Sequence, residues 1–292
     1  MSFQTPITAD YFIPLAVSIA TYASVFALAE IFRRFVDHFV SPKRHIHAFA
    51  MEFAASLQMC TCVYENGVIL KNYGVIGFFF TVIGLLIAGG IVNRGALVNP
   101  LPVFEGLYKN AISLDRAVVI LSAQLVGGGL AFRLAEYIWY LTMDLVNDHQ
   151  YFYENLPCTF AFKHSLLVAM IYEVAGCFCL RFIGAKLPGR AKGYLMPAMV
   201  SFLLSVAFVY IGVPALNPLT ISARMMNCKG LDRDMFLFTY WFLPTFGWFA
   251  GMLLDDYLSQ RRPPLQRQES RQKKQQKNNE KRKWYTGKHK QH

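Results

Sequence analysis

Seven stretches of this chain are apolar for the roughly 20 residues needed to cross the hydrocarbon core of a bilayer. They run over 11–32, 48–64 with an extension to 70, 74–93, 117–142, 164–183, 193–213 and 235–254. A chain with so many crossings has to satisfy its backbone within helices, and any irregular segment at that depth has to be covered by protein or line an aqueous cavity. With 54% hydrophobic and only 16% charged residues, the surplus apolar surface faces the lipid bilayer. The first window has no basic region before it and is too long for a cleavable signal, so it is expected to stay as a signal anchor.

Charge sets the expected orientation. Arg33, Arg34, Lys43 and Arg44 follow the first window, Arg94, Lys109 and Arg116 the third, and Lys186, Arg190 and Lys192 the fifth. Positive residues gather on the cytosolic side, which predicts a lumenal or external N-terminus and a cytosolic C-terminus. Residues 261–292 hold twelve Lys or Arg against Glu269 and Glu280, so they carry ten of the eleven net positive charges. The folded body is close to neutral, and a nucleic-acid partner has no support. The basic run reads as a disordered cytosolic tail with some attraction to anionic headgroups.

Two motifs recur at nearly one spacing. Glu52 and Glu173 each stand in an apolar window, 121 residues apart, and Asn99-Pro100-Leu101 returns as Asn217-Pro218-Leu219, 118 residues on. An odd number of crossings separates the copies, so the halves are inserted with opposite orientation, as an inverted repeat. The first window lies outside the duplication. Each tripeptide precedes an apolar segment too short to cross, Val103–Ile112 and Thr220–Met226, which reads as a half-helix dipping in from one face. Asn is a favoured N-cap and Pro suits the first helical position. Two helix N-termini would then face each other, with partial positive charge and free amide donors that repel cations and orient a neutral molecule. Glu52 and Glu173 read as braces for loop N–H groups, since an unpaired acid at that depth is costly.

Residues 47–254 resemble the aquaporin, or major intrinsic protein, family. The resemblance rests on the two acids, both Asn-Pro boxes, Gly106, and Ser122-Ala123-Gln124 with Gly127. Within the family the chain is most similar to the unorthodox intracellular superaquaporin branch, the aquaporin-eleven type, through His47-Ala48-Phe49, Leu57-Gln58-Met59-Cys60 with Cys62, Cys228 eleven residues after Asn217, and Tyr240-Trp241-Phe242-Leu243-Pro244. The resemblance implies an all-α membrane protein with an aquaporin-like inverted repeat of three spans plus a re-entrant half-helix each, and one extra N-terminal transmembrane helix. The implied domains are an N-terminal segment 1–45, a channel domain 46–257 with repeats 46–142 and 163–254, and the tail 258–292. It also implies a homotetramer with a pore in each subunit.

On that resemblance the pore constriction is formed by Asn99, Pro100, Leu101, Asn217, Pro218 and Leu219, with Phe79, Ser205, Val206 and Thr220 as filter candidates and Glu52, Glu173, Gln124 and Cys228 in support. The chain departs from the family in having Leu for Ala in both boxes, and Thr220 where the water filter has an Arg. Arg224 comes four residues later, so the cationic arm of the filter reads as absent and glycerol or hydrogen peroxide become as plausible as water. Glu105 in the first half-helix has no account from sequence.

Cys60 with Cys62 and Cys177 with Cys179 read as packing residues, Cys158 and Cys228 lie in connectors, and no CxxC metal spacing occurs. No cofactor is implied, and no nucleophile constellation suggests an enzyme. Lys288 and Lys290 resemble a retrieval signal read by coat proteins, which points to the endoplasmic reticulum. The reading is a passive channel for water and small neutral solutes; the alternatives are an ion-coupled secondary transporter using Glu52 or Glu173 and a non-conducting scaffold sealed by Leu101 and Leu219.

Overall fold

The computed structural model describes residues 9–213 and 215–261. A short turn of 3-10 helix, Ala9–Phe12, leads into α1 (Ile13–Phe39), and α2 (His45–Val92), α3 (Pro100–Tyr108), α4 (Leu114–Thr142), α5 (Asn147–Asn155), α6 (Leu166–Lys186), α7 (Gly189–Tyr210), α8 (Pro218–Met225), α9 (Arg233–Leu237) and α10 (Leu243–Gln260) follow. A π-helical stretch, Phe238–Phe242, joins the last two. Among the described residues six helices are long and apolar enough to cross a membrane, Arg233–Gln260 counting as one. The chain divides into two compact units, Met1–Gly251 and Met252–His292; the contacts below belong to the first. From residue 262 onward the basic tail, with Lys288 and Lys290, lies outside the described residues.

The 48 residues of α2 supply two crossings. At Gly74 the backbone turns to φ 62°, ψ −163°, a region essentially reserved for glycine. The two limbs, 45–73 and 75–92, run back along each other: Gln58 Nε2 lies 3.3 Å from Asn93 Oδ1, whereas 35 residues of straight helix would hold them about 50 Å apart. The seven crossings coincide with the seven apolar windows. The half-helices begin at Pro100 and Pro218, each with Asn as N-cap and proline in the first turn, as the Asn-Pro boxes suggest. The first of them stops at Tyr108, ahead of a left-handed Asn110 (φ 53°).

The extra helix α1 packs on α2 through a stripe of Ser18, Thr21, Tyr22, Val25, Arg33 and Val36, all buried. Three of its polar members hydrogen-bond across the interface, which offsets the cost of burying them, although Arg33 Nε and Nη1 are left without a hydrogen-bond partner among the described residues. Ser18 Oγ donates to Glu65 Oε1 at 2.5 Å, Tyr22 Oη to Asn66 Oδ1 at 2.7 Å, and Arg33 Nη2 to Gln58 Oε1 at 2.6 Å and Asn93 Oδ1 at 2.9 Å. Glu65 also accepts from Trp139 Nε1 at 2.9 Å and meets His149 Nε2 at 3.1 Å. One carboxylate therefore joins α1, α2, α4 and α5. Asp148, beside His149, is paired with Lys71 and takes a hydrogen bond from Asn72; burial works against its charge, but these partners hold its carboxyl below the usual carboxylate range.

Contacts between connectors sort them onto two sides. Arg94 and His47 both meet Asp37 on one side. On the other, Lys71 meets Asp148, Lys163 N donates to Ile211 O, and Phe160 N to Lys229 O. The duplication is visible in the packing. A Cβ on Gly127 would stand 2.8 Å from Phe53 O and one on Gly247 would stand 2.2 Å from Val174 O. The same helix pair closes backbone to backbone in both halves, next to Glu52 and Glu173.

Because only glycine adopts the Gly74 conformation comfortably, Gly74→Ala is expected to destabilise the protein by about 1–3 kcal/mol. Thermal unfolding in detergent checks this, with Gly84→Ala as the reference, since a Cβ there meets nothing within 4 Å.

Candidate pore site

The two Asn-Pro boxes are capped in the same way. Asn99 Oδ1 accepts from Leu101 N at 2.9 Å and Asn217 Oδ1 from Leu219 N at 3.0 Å, satisfying amides that a helix start otherwise leaves free. The residue before each Asn is left-handed without being glycine: Val98 at φ 52° and Leu216 at φ 56°. That conformation is costly, most of all for a β-branched side chain, and it persists because a buried carboxylate grips it. Glu52 accepts from Leu97 N at 3.0 Å, Val98 N at 2.6 Å and Gln124 Nε2 at 2.8 Å. Glu173 accepts from Ala215 N at 3.0 Å and Leu216 N at 2.9 Å.

These turns bring the two helix starts together. Asn217 Nδ2 donates to Val98 O at 2.9 Å, across the junction of the two halves. The half-helices are nine and eight residues long, which is about 14 and 12 Å. End to end they cover most of a hydrocarbon core of about 30 Å. Within each box the burial is unequal. Pro100, Leu101, Pro218 and Leu219 are buried, while Asn99 and Asn217 remain part-exposed. Leu101 packs with Cys177, Leu180 and Leu216, and Leu219 with Cys60, Tyr64 and Ala131. The leucines therefore fill gaps between helices, and the asparagine amides are what reaches accessible space.

Of the other residues singled out, Phe79 lies on the second limb of α2, and its carbonyl accepts from Ser201 Oγ of α7 at 2.7 Å. On α7 Ser205 is buried and Val206 is part-exposed. Thr220 is part-exposed and donates to Asn217 O at 3.0 Å. Glu105 now has an account: it accepts from Arg181 Nε and Nη2 at 2.6 and 2.7 Å and from Trp248 Nε1 at 2.7 Å, tethering the first half-helix to α6 and α10. Cys228 is joined to Cys158 by a disulfide; Cys60, Cys62, Cys177 and Cys179 are free. Around the disulfide, Lys229 N donates to Cys158 O at 3.1 Å and Phe160 N to Lys229 O at 2.8 Å. Among the described residues no group of His, Cys, Asp or Glu is placed to hold a metal ion.

A helical bundle that spans a membrane many times and brings two capped half-helices tip to tip has the plan of a channel. Its relatives agree. The chain is 38% identical over 246 residues to an aquaporin-10 of Caenorhabditis elegans, spanning 84% of this chain and 88% of the relative. It is 23% identical over 235 residues to aquaporin-11 of Milnesium tardigradum, spanning 80% and 84%, and 23% identical over 220 residues to aquaporin-11 of Homo sapiens, spanning 71% and 77%. The chain belongs to the aquaporin family, in its superaquaporin branch. No family model matches it.

Two outcomes follow from this geometry. Glu52→Gln turns an amide donor toward backbone donors, and is expected to cost about 2–3 kcal/mol of stability, read as a lower unfolding midpoint in detergent; Glu173→Gln is expected to behave alike. Alkylation of the denatured, unreduced protein should label Cys60, Cys62, Cys177 and Cys179, and labelling of Cys158 or Cys228 before reduction would contradict the pairing.

Proposed function

We propose that this multi-pass membrane protein is a passive channel for water and small neutral solutes, glycerol and hydrogen peroxide among them. The solute passes at the junction of the two boxes, beside the Asn99 and Asn217 side chains. The observation that carries the reading is the junction itself: two half-helix N-termini, both Asn-capped, linked by the Asn217–Val98 hydrogen bond, with the part-exposed amides beside buried leucines. Opposed N-termini present positive dipole ends to the path, which disfavours cations and protons while donors remain for a neutral oxygen.

Support also comes from how the intramembrane acids are used. Glu52 and Glu173 are taken up by backbone amides that hold the turns, which leaves a proton-coupled carrier little to work with. Leu101 and Leu219 turn into helix packing, which weakens the reading of a scaffold sealed by them. Phe79, Val206 and Thr220 are the proposed filter positions, with Ser205 behind Val206. The absence of Arg at position 220 supports a solute range wider than water.

We place the channel in the endoplasmic reticulum with a lumenal N-terminus. The Cys158–Cys228 disulfide is on the side that the charge pattern assigns to the lumen, and disulfides persist in oxidising compartments. Assembly as a homotetramer and recognition of Lys288 and Lys290 by coat proteins belong to the same proposal.

Light scattering from proteoliposomes tests it. Vesicles holding the protein are expected to shrink or swell several-fold faster than empty ones for water or glycerol, with no saturation. Rates equal to empty vesicles for water, glycerol and peroxide would sink the channel, and a saturable, pH-driven flux lost in Glu173→Gln would favour the carrier.

A further inference from the structure

We infer that Arg224 is the cation-excluding residue of this channel, set one helical turn beyond the second box; the inference rests on the channel reading above. On α8, steps of about 100° per residue put Asn217, Thr220 and Arg224 within one arc of about 60°. All three are part-exposed; Pro218, Leu219, Ile221 and Met225 are buried, and of the other part-exposed residues Ser222 accepts from Trp241 Nε1 and Ala223 packs against the cluster that holds Leu219. The asparagine amide, the threonine and the guanidinium thus form a single file on the unpacked face of the half-helix. The guanidinium stands at its outer end.

Two neighbours fix it there. Arg224 Nη2 donates to Pro157 O at 2.9 Å, and the guanidinium carbon lies 5.4 Å from the centre of the Tyr64 ring, within reach of a cation–π contact. Both supports are themselves anchored. Tyr64 Oη donates to Ala223 O at 2.5 Å, which ties the ring to α8, and Pro157 precedes Cys158, the partner of Cys228 in the disulfide. A long, flexible side chain is thereby held to one place.

Its charge is not neutralised. Among the described residues no carboxylate pairs with Arg224; its partners are a carbonyl, a thioether and an aromatic face. By contrast Arg181 is matched by Glu105, and Arg33 and Arg94 lie beside Glu30. In the first half-helix the residue seven beyond Asn99 is Gly106, against Arg224 seven beyond Asn217. The second half alone therefore sets a fixed positive charge in line with its box. A half-buried, unpaired guanidinium raises the energy of any cation passing within several ångströms and leaves a neutral solute a donor. Thr220 leaves space where a filter Arg would fill it, and Arg224 keeps the electrostatic barrier without that obstruction.

The test compares wild type, Arg224→Gln and Arg224→Lys in proteoliposomes, reading water, glycerol and peroxide flux by light scattering and proton or potassium leak by a pH or potassium dye. Gln keeps a donor for Pro157 but no charge; Lys keeps the charge. Arg224→Gln is expected to raise the cation leak about tenfold with neutral fluxes retained, and Arg224→Lys to restore exclusion. A conducting wild type whose Gln variant excludes cations equally well overturns this assignment alone. A wild type that passes none of water, glycerol and peroxide overturns the channel reading and the assignment with it. Should Arg224→Gln not assemble, the Lys variant decides: cation exclusion kept with the Pro157 bond weakened supports a charge barrier, and leak despite the retained charge overturns it.

Discussion

Two carboxylates hold this structure in its working shape. Glu52 and Glu173 would be ruinous in an apolar helix if left unpartnered, yet each is spent on the backbone of a turn no ordinary residue chooses. The left-handed Val98 and Leu216 carry strain of about 1–3 kcal/mol apiece, and the carboxylates offset it by giving buried amides an acceptor. Without the grip the chain has no reason to stop its descent and begin a helix at Asn99 or Asn217. The capped N-termini, their meeting and the exposed amides all follow from it.

The second consequence is a division of labour within each box. Asn faces accessible space, Pro starts the helix, and Leu fills the gap between neighbouring helices. A larger residue than alanine at the third position is accommodated by packing, Leu101 against Cys177 and Leu180 and Leu219 against Cys60 and Tyr64. The departure from the family pattern is therefore absorbed on the dry side of the half-helix.

Much of this was legible in the residues. Length and apolarity marked every crossing, and the recurrence of Glu and Asn-Pro at nearly one interval revealed both the duplication and its inversion. What escaped depended on knowing which faces meet. Glu65 lies in the same apolar window as Glu52 and carries the same signal, an acid at depth, but its partners Ser18, Trp139 and His149 come from three other helices and no spacing links them. Arg33 counts in the sequence only among the flanking cations, and its burial against Gln58 and Asn93 could not be read from its position. Glu105 stayed opaque until Arg181 and Trp248 stood beside it. The Cys158–Cys228 pairing was likewise hidden, since two cysteines in connectors 70 residues apart do not tell whether those connectors meet.

The extra helix and the disulfide show that related halves are secured by different means. The first half is clasped from outside by α1, through buried hydrogen bonds that any solvent able to enter the helix interface can contest. Much of the second half is closed into a covalent ring: residues 158 to 228 enclose α6, α7 and α8 and leave α9 and α10 outside, and closing about 70 residues is worth about 4 kcal/mol in chain entropy. One half is thus guarded by a neighbour and the other by a bond. The halves are symmetric in form and unequal in how they come apart, the ring answering to reductant and the clasp to whatever frees α1.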